Sequence, residues 1–304
     1  MPLLQSIYIL RILFTIFVYS TLALSWDLIA GYYRIAVLSF AHAALFCLGG
    51  YVSGLLAKHF NTFPVVSMFI GGIVAATIGI ILALLCIRFP GRFNLYYIIL
   101  SRTIATIIVA VLVNEWKITG GTAGITVPPL VPVANAYIVW TINYILAYLV
   151  LLSLVVLTKY IEKRPLGYAI RAIYEDEVAA QILGINTIKV KILMITLTAF
   201  YAGFIGGLYA HSLQVIGPDL GSMSYMLIIF FMAYTGGSGT IIGPILGAFL
   251  WFGLYELLRI IGVSGVLQKL MLTLVFLLIL RYVGWKGIWT SVKFKIESIL
   301  KKSK

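Results

Sequence analysis

The sequence predicts an all-α protein, a polytopic integral membrane bundle of about 8–10 transmembrane helices. Of its 304 residues, 62% are hydrophobic and only 10% are charged, and the mean hydropathy is +1.09. Soluble globular domains are about 45–50% apolar and about 25% charged. A chain with so few polar side chains could not cover a compact body in water. Lipid must therefore solvate much of its surface.

Apolar segments along the chain give the predicted spans, since a membrane-crossing helix needs roughly 20 mostly apolar residues. We place them at 7–30, 35–57, 64–87, 95–113, 137–157, 190–210, 222–235, 241–260 and 266–280. The seventh and ninth are short, which predicts helices that are tilted, re-entrant or sheltered by neighbours. The first is too long for the apolar region of about 7–15 residues in a cleavable signal peptide, so we interpret it as a span.

Positive charges lie in short segments beside these spans. Of the 22 basic residues, 13 lie in the segments 158–191 and 281–304, the first of which also holds four acidic residues. Basic segments of this kind are typical of cytoplasmic loops. Alternation of the spans then places Arg34, Arg88 and Arg92 on the cytoplasmic side and the N-terminus outside. We interpret residues 1–304 as one transmembrane domain with a cytoplasmic loop at about 158–189 and a basic cytoplasmic tail at about 281–304. This placement argues against nucleic acid as a partner.

Small residues recur at every fourth position in three of the spans. They are Gly71, Ala75, Gly79 and Ala83; Ala199, Gly203 and Gly207; and Gly243 and Gly247. Faces of this kind let helix backbones approach closely in lipid. A tightly associated bundle is therefore expected, in preference to a loose set of membrane anchors.

The sequence contains no recognisable catalytic or metal-binding arrangement. The histidines are His42, His59 and His211, and the cysteines are Cys47 and Cys86. No histidine pair has metal-ligand spacing, and both cysteines lie in apolar segments. The sequence GGSGTIIG at 236–243 lacks the lysine of a phosphate-binding loop and the spacing of a dinucleotide-binding loop. We expect no cofactor in this chain; if ATP drives the protein, another subunit must bind it.

A few charged residues lie inside the predicted spans. Arg102 is near the middle of the fourth span, where an arginine usually faces the bundle interior or a water-filled cavity, so it is a candidate for a translocation path. Glu256 and Arg259, at i and i+3, are better explained as a neutralised interfacial pair than as a substrate site. Asp27 and Arg11 are interpreted as helix-end or interior polar residues, which the sequence alone cannot pair.

The polar segment 158–189 carries a helical pattern. From 166 to 183, good helix formers bear apolar residues mostly at spacings of three and four, and Glu175, Asp176 and Glu177 interrupt the apolar stripe. Gly184 follows where the helix is expected to end, because glycine adopts the left-handed cap conformation at little cost. Helices that lie on membranes favour a basic polar face. The acidic centre therefore favours docking into a groove of a protein partner.

These residues resemble a known family. Glu177, Ala179, Ala180 and Gly184 are similar to the cytoplasmic EAA loop of ABC-importer permeases, whose helix fits a cleft on the ATPase. Over a longer register the chain resembles the LivM-type permeases of branched-chain amino-acid transporters, in the sequence PLGYAIRAIYEDEVAAQILGIN at 165–186. The resemblance implies an ATPase-coupling loop formed by Arg171, Glu175, Asp176, Glu177, Ala179, Ala180 and Gly184.

Three further segments resemble the same family. They are LSFAHAA at 38–44, which continues through Phe46, Gly49 and Tyr51; TGGTAGI at 119–125; and GGSGT at 236–240 with GPILGA at 243–248. The candidates for a translocation path are Ser39, His42, Arg102, Gly120, Gly121 and Gly124. The chain departs from the family at Ala41 and Cys47, where glycines are common, and at 33–37, where Arg34 replaces the usual glycine-glutamine.

The resemblance implies a multi-pass permease in the cell (plasma) membrane that translocates branched-chain amino acids or a similar small polar solute and is not itself an enzyme. Its implied partners are ABC ATPase subunits that bind ATP, a second homologous permease subunit, an extracytoplasmic solute-binding protein and membrane lipid. Other amino acids, urea and short amides stay open as cargoes. The permease pair could also consist of two copies of one chain.

Two other functions compete with this interpretation. A secondary transporter or channel without a partner ATPase would explain the hydrophobicity and Arg102, but it gives no reason for the acidic amphipathic helix. A membrane-embedded enzyme would need clustered His, Asp, Glu or Cys side chains, and the sequence has no such cluster.

Overall fold

The computed structural model describes residues 2–36, 38–88, 93–133 and 135–283, and these are almost entirely helical. The helices are α1 Pro2–Asp27, α2 His42–Phe60, α3 Pro64–Ile87, α4 Phe93–Asn114, α5 Trp116–Thr119, α6 Ala136–Glu162, α7 Pro165–Glu175, α8 Glu177–Ile182, α9 Thr187–Leu213, α10 Met223–Gly236, α11 Ile242–Ile260 and α12 Gly265–Val283. Two short strands, β1 Ile125–Thr126 and β2 Val215–Ile216, pair antiparallel. The predicted all-α class is confirmed. Arg92 and most of the predicted basic tail lie outside the described residues.

Nine helices correspond to the nine predicted spans. Among the described residues, seven helices are long and apolar enough to cross a membrane: α1 with the turn that follows it, α2, α3, α4, α6, α9 and α11. The apolar parts of α10 and α12 are shorter, as the seventh and ninth predicted segments indicated. The third span has the predicted bounds, Pro64–Ile87. The chain is therefore a multi-pass membrane helix bundle.

The connection between α1 and α2 differs from the prediction. We predicted that the second span begins at residue 35, but α2 begins at His42. The end of α1 widens into a π-helical turn at Leu28–Tyr32, and the amide group of Ile35 donates to Ile29 O at 2.9 Å. Arg34 has a φ angle of 49°, a left-handed conformation that cannot continue a right-handed helix. The apolar residues here belong to a buried connection because this turn ends the helical path.

The centre of the bundle is built on close contacts between α2, α3 and α9. A Cβ atom added at Gly203 of α9 would lie 2.4 Å from the Cβ atom of Ala75, and one at Gly49 would lie 2.2 Å from Gly203 O. A Cβ atom at Gly71 would lie 2.4 Å from Gly49 O. The predicted small-residue faces therefore bring three helix backbones together at distances that larger residues would prevent.

The bundle has two ends, which we call the β end and the α8 end. The β1–β2 pair, the end of α2 and the end of α9 define the β end; α7 and α8, between α6 and α9, define the α8 end. Because α6 begins after β1 and ends before α7, the loop at 115–135 and the segment at 158–189 lie at opposite ends. This is the arrangement that alternation of the spans predicted.

Candidate functional site

The segment between α6 and α9 is a pair of helices rather than the single helix predicted for 166–183. Asp176 breaks it with extended backbone angles, φ −155° and ψ 110°. Its Oδ1 atom accepts hydrogen bonds from the amide groups of Val178 at 2.8 Å and Ala179 at 3.0 Å. Aspartate favours such N-caps because its short carboxylate satisfies amide groups that the first turn leaves free. The acidic triplet thus ends α7 and starts α8.

The end of α8 follows the prediction for Gly184. This glycine has a φ angle of 84°, and its amide group donates to Gln181 O while the amide of Ile185 donates to Ala180 O, both at 3.0 Å. Those two hydrogen bonds form the Schellman arrangement that closes many helices. A Cβ atom at Gly184 would meet nothing within 4 Å. The position therefore selects glycine for its backbone conformation and not for lack of space.

Buried apolar side chains and one glycine seat α7 against the end of α6. Ile170 and Ile173 are buried, and a Cβ atom at Gly167 would lie 2.5 Å from Ile161 O. Arg171 pairs with Glu162 at 3.0 Å. Because the Arg171 side chain is mostly exposed, water screens this pair and it contributes little stability. The apolar contacts and the close approach at Gly167 therefore set the position of α7.

An ion pair joins α8 to the start of α9. Lys191 Nζ lies 2.6 Å from Glu177 Oε1, and the lysine side chain is 6% exposed whereas the glutamate side chain is 43% exposed. The same ammonium group lies 4.3 Å from the centre of the Phe93 ring at the start of α4. Sequence reasoning missed Lys191 as a functional residue, although a lysine five residues after Asn186 in an otherwise apolar helix was a visible signal.

The exposed face of α8 is apolar. Val178, Ile182 and Leu183 are 65%, 81% and 78% exposed, and Ala179 is exposed beside them. We call these four residues the α8 tip. Ala180, by contrast, is buried against the bundle. Exposed apolar patches of this kind mark sites of interaction with another protein or with a membrane.

Arg34 links α7 to the end of α1. Its Nη1 atom donates a hydrogen bond to the Tyr174 hydroxyl group, and its guanidinium carbon lies 4.7 Å from the centre of the Tyr174 ring. The Nε atom donates to Gly31 O at 3.3 Å. Sequence reasoning placed Arg34 on the cytoplasmic side and identified it as a departure from the family, but it gave no contact for this side chain. Its positive φ angle aims the side chain back toward α7, which the sequence could not reveal.

Asp27 continues this connection into the bundle. The residue is fully buried; its Oδ1 atom accepts a hydrogen bond from the Ser238 hydroxyl group, and Oδ2 accepts one from the Gly239 amide at 2.9 Å. A Cβ atom at Gly31 would lie 2.7 Å from Gly239 N. The glycine-rich connection between α10 and α11 therefore rests on the π-helical turn. Contacts run from α7 through Arg34 to the break between α10 and α11.

A cavity of ≈ 830 Å³ lies between α8, the π-helical turn and the first residues of α4 and α9. Charged side chains on three sides of it are Arg34, Glu177 and Lys191. The α7–α8 pair is thus not packed solidly onto the spans. The Lys191–Glu177 and Arg34–Tyr174 contacts span this space, in addition to the apolar contacts that seat α7.

Ser39 and His42, two of the candidate path residues, are buried together where the chain enters α2. Ser39 Oγ lies 3.2 Å from His42 Nδ1, and Trp26 Nε1 donates to Ser39 O at 2.8 Å. His42 Nε2 has no hydrogen-bond partner among the described residues. These contacts explain the two side chains as parts of a buried junction, and their part in a translocation path stays a prediction.

Arg102 does not face the interior of this chain, and its part in a translocation path stays a prediction. Its neighbour Ser101 is fully buried and accepts a hydrogen bond from the Phe40 amide at 3.1 Å. Successive residues of a helix are about 100° apart around its axis. Arg102 consequently lies on the exposed side of α4. It could line a path only together with another subunit.

The remaining path candidates form a loop at the β end. Gly120, Gly121 and Gly124 have φ angles of 72°, 58° and 76°, which other residues rarely adopt. A Cβ atom at Gly124 would also lie 2.2 Å from Ile216 O, so this glycine permits the β1–β2 pairing. The structure does not bring these residues to Ser39 and His42, because α2 runs between the two groups.

The structure shows the contacts of the charged residues at the β end, Glu256, Arg259 and Arg11. The predicted Glu256–Arg259 pair is confirmed, with Arg259 Nε 3.5 Å from Glu256 Oε1. Arg11 lies with its guanidinium carbon 4.7 Å from the Trp140 ring centre. The described residues contain no group of three or more His, Cys, Asp or Glu side chains that could hold a metal ion.

Comparisons with known proteins agree with the fold. The chain is 27% identical over 266 residues to the high-affinity branched-chain amino acid transport system permease protein LivM of Escherichia coli, with 80% of this chain matched. The matched region spans 61% of the length of that relative. Similarity to LivH of Escherichia coli is 29% identity over 248 residues, which is 75% of this chain and 78% of LivH. The ribose import permease protein RbsC of Haemophilus influenzae is 28% identical over 131 residues, 40% of each chain. No solved structure matches the chain significantly.

A family described as the permease component of branched-chain amino acid transport systems matches residues 8–280. That range includes the spans from α1 to α11, the α7–α8 pair and the glycine-rich connections. The match therefore extends over the membrane bundle and does not rest on the EAA-like segment alone. This chain is a multi-pass membrane protein that belongs to the branched-chain amino acid transport system permease family.

Proposed function

We propose that this chain is the membrane-spanning subunit of an ATP-binding-cassette importer for branched-chain amino acids or a similar small polar solute. The observation that carries the proposal is the α8 tip, an exposed apolar surface on a short helix that is fixed to the ends of several spans. Family membership and the names of LivM and LivH support the transport class and the cargo. ATP would bind to a separate partner subunit, and this chain would perform no catalysis.

In this mechanism, the α8 tip occupies a groove on an ATPase subunit. Closure of the ATPases on nucleotide binding would push on α7 and α8 together. The Lys191–Glu177 pair would carry the movement into α9, and Arg34 would carry it from Tyr174 to the end of α1. Through Asp27 the movement would reach the α10–α11 break. A change at one end of the bundle could then alter access to a path between subunits.

Further partners are a second homologous permease subunit, membrane lipid and an extracytoplasmic solute-binding protein. Much of the surface of α4 and α6 is exposed in this chain, which leaves area for lipid and for a second permease. Arg102 lies on the exposed side of α4 and would enter such an interface. The glycine loop at Gly120–Gly124 lies at the β end and is the proposed contact for the binding protein.

The proposal is tested by co-expressing the chain with candidate ATPase, permease and binding-protein subunits and measuring co-purification and ATP-dependent uptake in proteoliposomes. Leucine, another amino acid and urea would be compared as cargoes. Ile182→Asp is expected to reduce ATPase co-purification at least about tenfold, because a charge on the α8 tip must lose water on docking. Val266→Asp, an equally exposed apolar position at the β end, is the matched control.

Two outcomes would contradict the proposal. Uptake driven by an ion gradient in the absence of any ATPase would favour a secondary transporter. Unchanged ATPase association in Ile182→Asp, with both variants inserted normally, would remove the α8 tip from the coupling mechanism.

A further inference from the structure

A second cavity, of ≈ 280 Å³, lies at the β end between α1, α6 and α11. The residues that give it its chemical character are Tyr8, Arg11, Trp140, Tyr255, Glu256 and Arg259. It is remote from the α8 end, and neither the coupling contacts nor the glycine loop accounts for its charges. The confirmed Glu256–Arg259 pair accounts for two of these charges but not for Arg11, and an ionisable side chain among membrane helices is a candidate for a functional site.

The charges in this cavity do not balance. Arg259 pairs with Glu256 at 3.5 Å, whereas Arg11 forms no ion pair with any described residue and contacts the face of Trp140 instead. Two guanidinium groups therefore border the cavity against one carboxylate. Glu256 Oε1 faces Arg259 and is buried, and no described residue donates a hydrogen bond to the other carboxylate oxygen. The cavity thus offers one uncompensated cation and one carboxylate oxygen that can still accept.

This combination matches a zwitterion. Guanidinium groups bind phosphate or carboxylate through two parallel hydrogen bonds, and the free Glu256 oxygen can accept a hydrogen bond from a primary ammonium group. A simple anion would leave the second Glu256 oxygen without a donor, and a simple cation would be repelled by Arg11. We infer that this cavity binds a molecule joining a phosphate or carboxylate to a primary ammonium group.

The surroundings favour a membrane lipid as the source of that group. Leu257, Ile260 and Ile261 beside the cavity are largely exposed, and so is Ile9 next to Arg11. These side chains can contact acyl chains, while tyrosine and tryptophan are the residues that concentrate at the headgroup level of a bilayer. Basic pockets between membrane helices bind lipid headgroups. A phosphoethanolamine headgroup carries both required charges. A free α-amino acid has the same pair of charges and is the other source.

Native mass spectrometry of the delipidated full chain tests the inference, with phosphatidylethanolamine, phosphatidylcholine and phosphatidylglycerol added separately. Phosphatidylethanolamine should bind at least about tenfold more tightly than the others. Phosphatidylcholine has no N–H group to donate to Glu256, and phosphatidylglycerol has no cation. Free phosphoethanolamine and free leucine are added as competitors in parallel samples.

Substitutions of the charged residues test whether the lipid binds in this cavity. Arg11→Gln should weaken binding of phosphatidylethanolamine at least about tenfold, and Arg11→Lys should restore part of it. Glu256→Gln should abolish the preference over phosphatidylglycerol. Lys58→Gln, which removes an exposed cation at the end of α2, is the matched control and should bind like the unaltered chain. Melting temperatures without added lipid check that each variant is folded.

Each possible result of these binding measurements either supports or overturns the inferred zwitterion site. Selective binding of phosphatidylethanolamine that Arg11→Gln removes supports the inference with lipid as the source. Displacement of that lipid by low concentrations of leucine supports the same chemistry with a soluble zwitterion as the source. Equal binding of the three lipids, or binding that none of the variants changes, overturns it. ATPase association and uptake are not needed for any of these measurements, so failure of the proposed importer function would be seen separately.

Discussion

At the scale of single residues, the α8 end depends on a few groups whose conformation or burial leaves little choice of side chain. Gly184 occupies a left-handed backbone conformation, and Asp27 is a fully buried carboxylate with two hydrogen-bond donors. Arg34 is a non-glycine residue at positive φ. The buried carboxylate and the non-glycine residue at positive φ cost free energy unless surrounding contacts compensate for it, whereas glycine adopts the left-handed conformation at little cost. Their concentration between α7 and the α10–α11 break fits a role in transmitting movement.

Gly184→Val should strain the end of α8. A β-branched residue at this φ angle costs about 1–2 kcal/mol, and the loss should be local because α8 is short. We expect faster amide hydrogen exchange at 177–186, lower ATPase-dependent uptake and unchanged membrane insertion. Gly253→Val is the control, since Gly253 lies in α11 at negative φ with nothing within 4 Å of its Cβ position. Normal exchange and normal uptake in Gly184→Val would show that this cap does not matter for coupling.

Asp27 and Ser238 should be energetically coupled. Removing one partner leaves a buried polar group unsatisfied, which costs about 1–3 kcal/mol. We expect Asp27→Asn and Ser238→Ala each to lower the free energy of unfolding, with a coupling energy of about 0.5–3 kcal/mol between them. Unfolding in mixed micelles measures it.

Asp27→Asn combined with Thr77→Ala is the control cycle. Thr77 is an exposed residue of α3 that bonds only to its own helix, so the two changes should be additive. Additive effects of Asp27→Asn and Ser238→Ala would contradict a direct link between α1 and the α10–α11 connection.

At the scale of elements, the α7–α8 pair is a small unit held across a cavity. The pair contacts both α6 and α9, with ion pairs from Arg171 to Glu162 and from Glu177 to Lys191, and its arginine contact is with the end of α1. The 830 Å³ cavity separates it from the remaining spans. A unit with few contacts and defined attachment points can move as a body, whereas a tightly buried helix would transmit strain in all directions.

Lys191→Gln should loosen α8 from α9. The Lys191 ammonium is 6% exposed and its partner carboxylate 43% exposed, so the pair is only partly screened and its loss should cost about 1–3 kcal/mol. We expect increased hydrogen exchange across α8 and reduced ATP-dependent uptake. Lys189→Gln, at an exposed lysine two residues earlier, removes the same charge without this contact. Equal effects of the two substitutions would show that net charge, and not the ion pair, is responsible.

At the scale of the whole molecule, backbone contact between α2, α3 and α9 makes the scaffold on which both ends depend. Glycines at these contacts leave no volume for a side chain. In lipid no hydrophobic force drives the helices together, so close backbone contact supplies much of the free energy of helix association. The β end and the α8 end are thereby held at a fixed separation.

Gly203→Val should prevent folding of the bundle. Its Cβ atom would lie 2.4 Å from the Ala75 Cβ atom, and overpacking of this kind costs about 1–3 kcal/mol or more. We expect aggregation in size-exclusion chromatography and loss of cooperative thermal unfolding. Gly265→Val, at a position with nothing within 4 Å, should behave as the unaltered chain. A monodisperse Gly203→Val protein of normal stability would contradict the close contact.

The sequence alone determined the membrane class, the nine apolar helices and the glycine stop at Gly184. These follow from chain-local quantities, namely segment hydrophobicity, length and backbone preference. Only the tertiary structure decided the break at Asp176, the outward position of Arg102 and the partners of Asp27 and Lys191. The break at Asp176 is a local cap of the amide groups two and three residues further on, in a segment whose composition also fits a single continuous helix. The other features depend on which residues distant in the sequence meet, and no local pattern encodes that. The acidic triplet at 175–177 illustrates the local and the tertiary contributions. Its position in a helical segment was predicted from the sequence, but the burial of Lys191 beside Glu177 was visible only in the folded bundle.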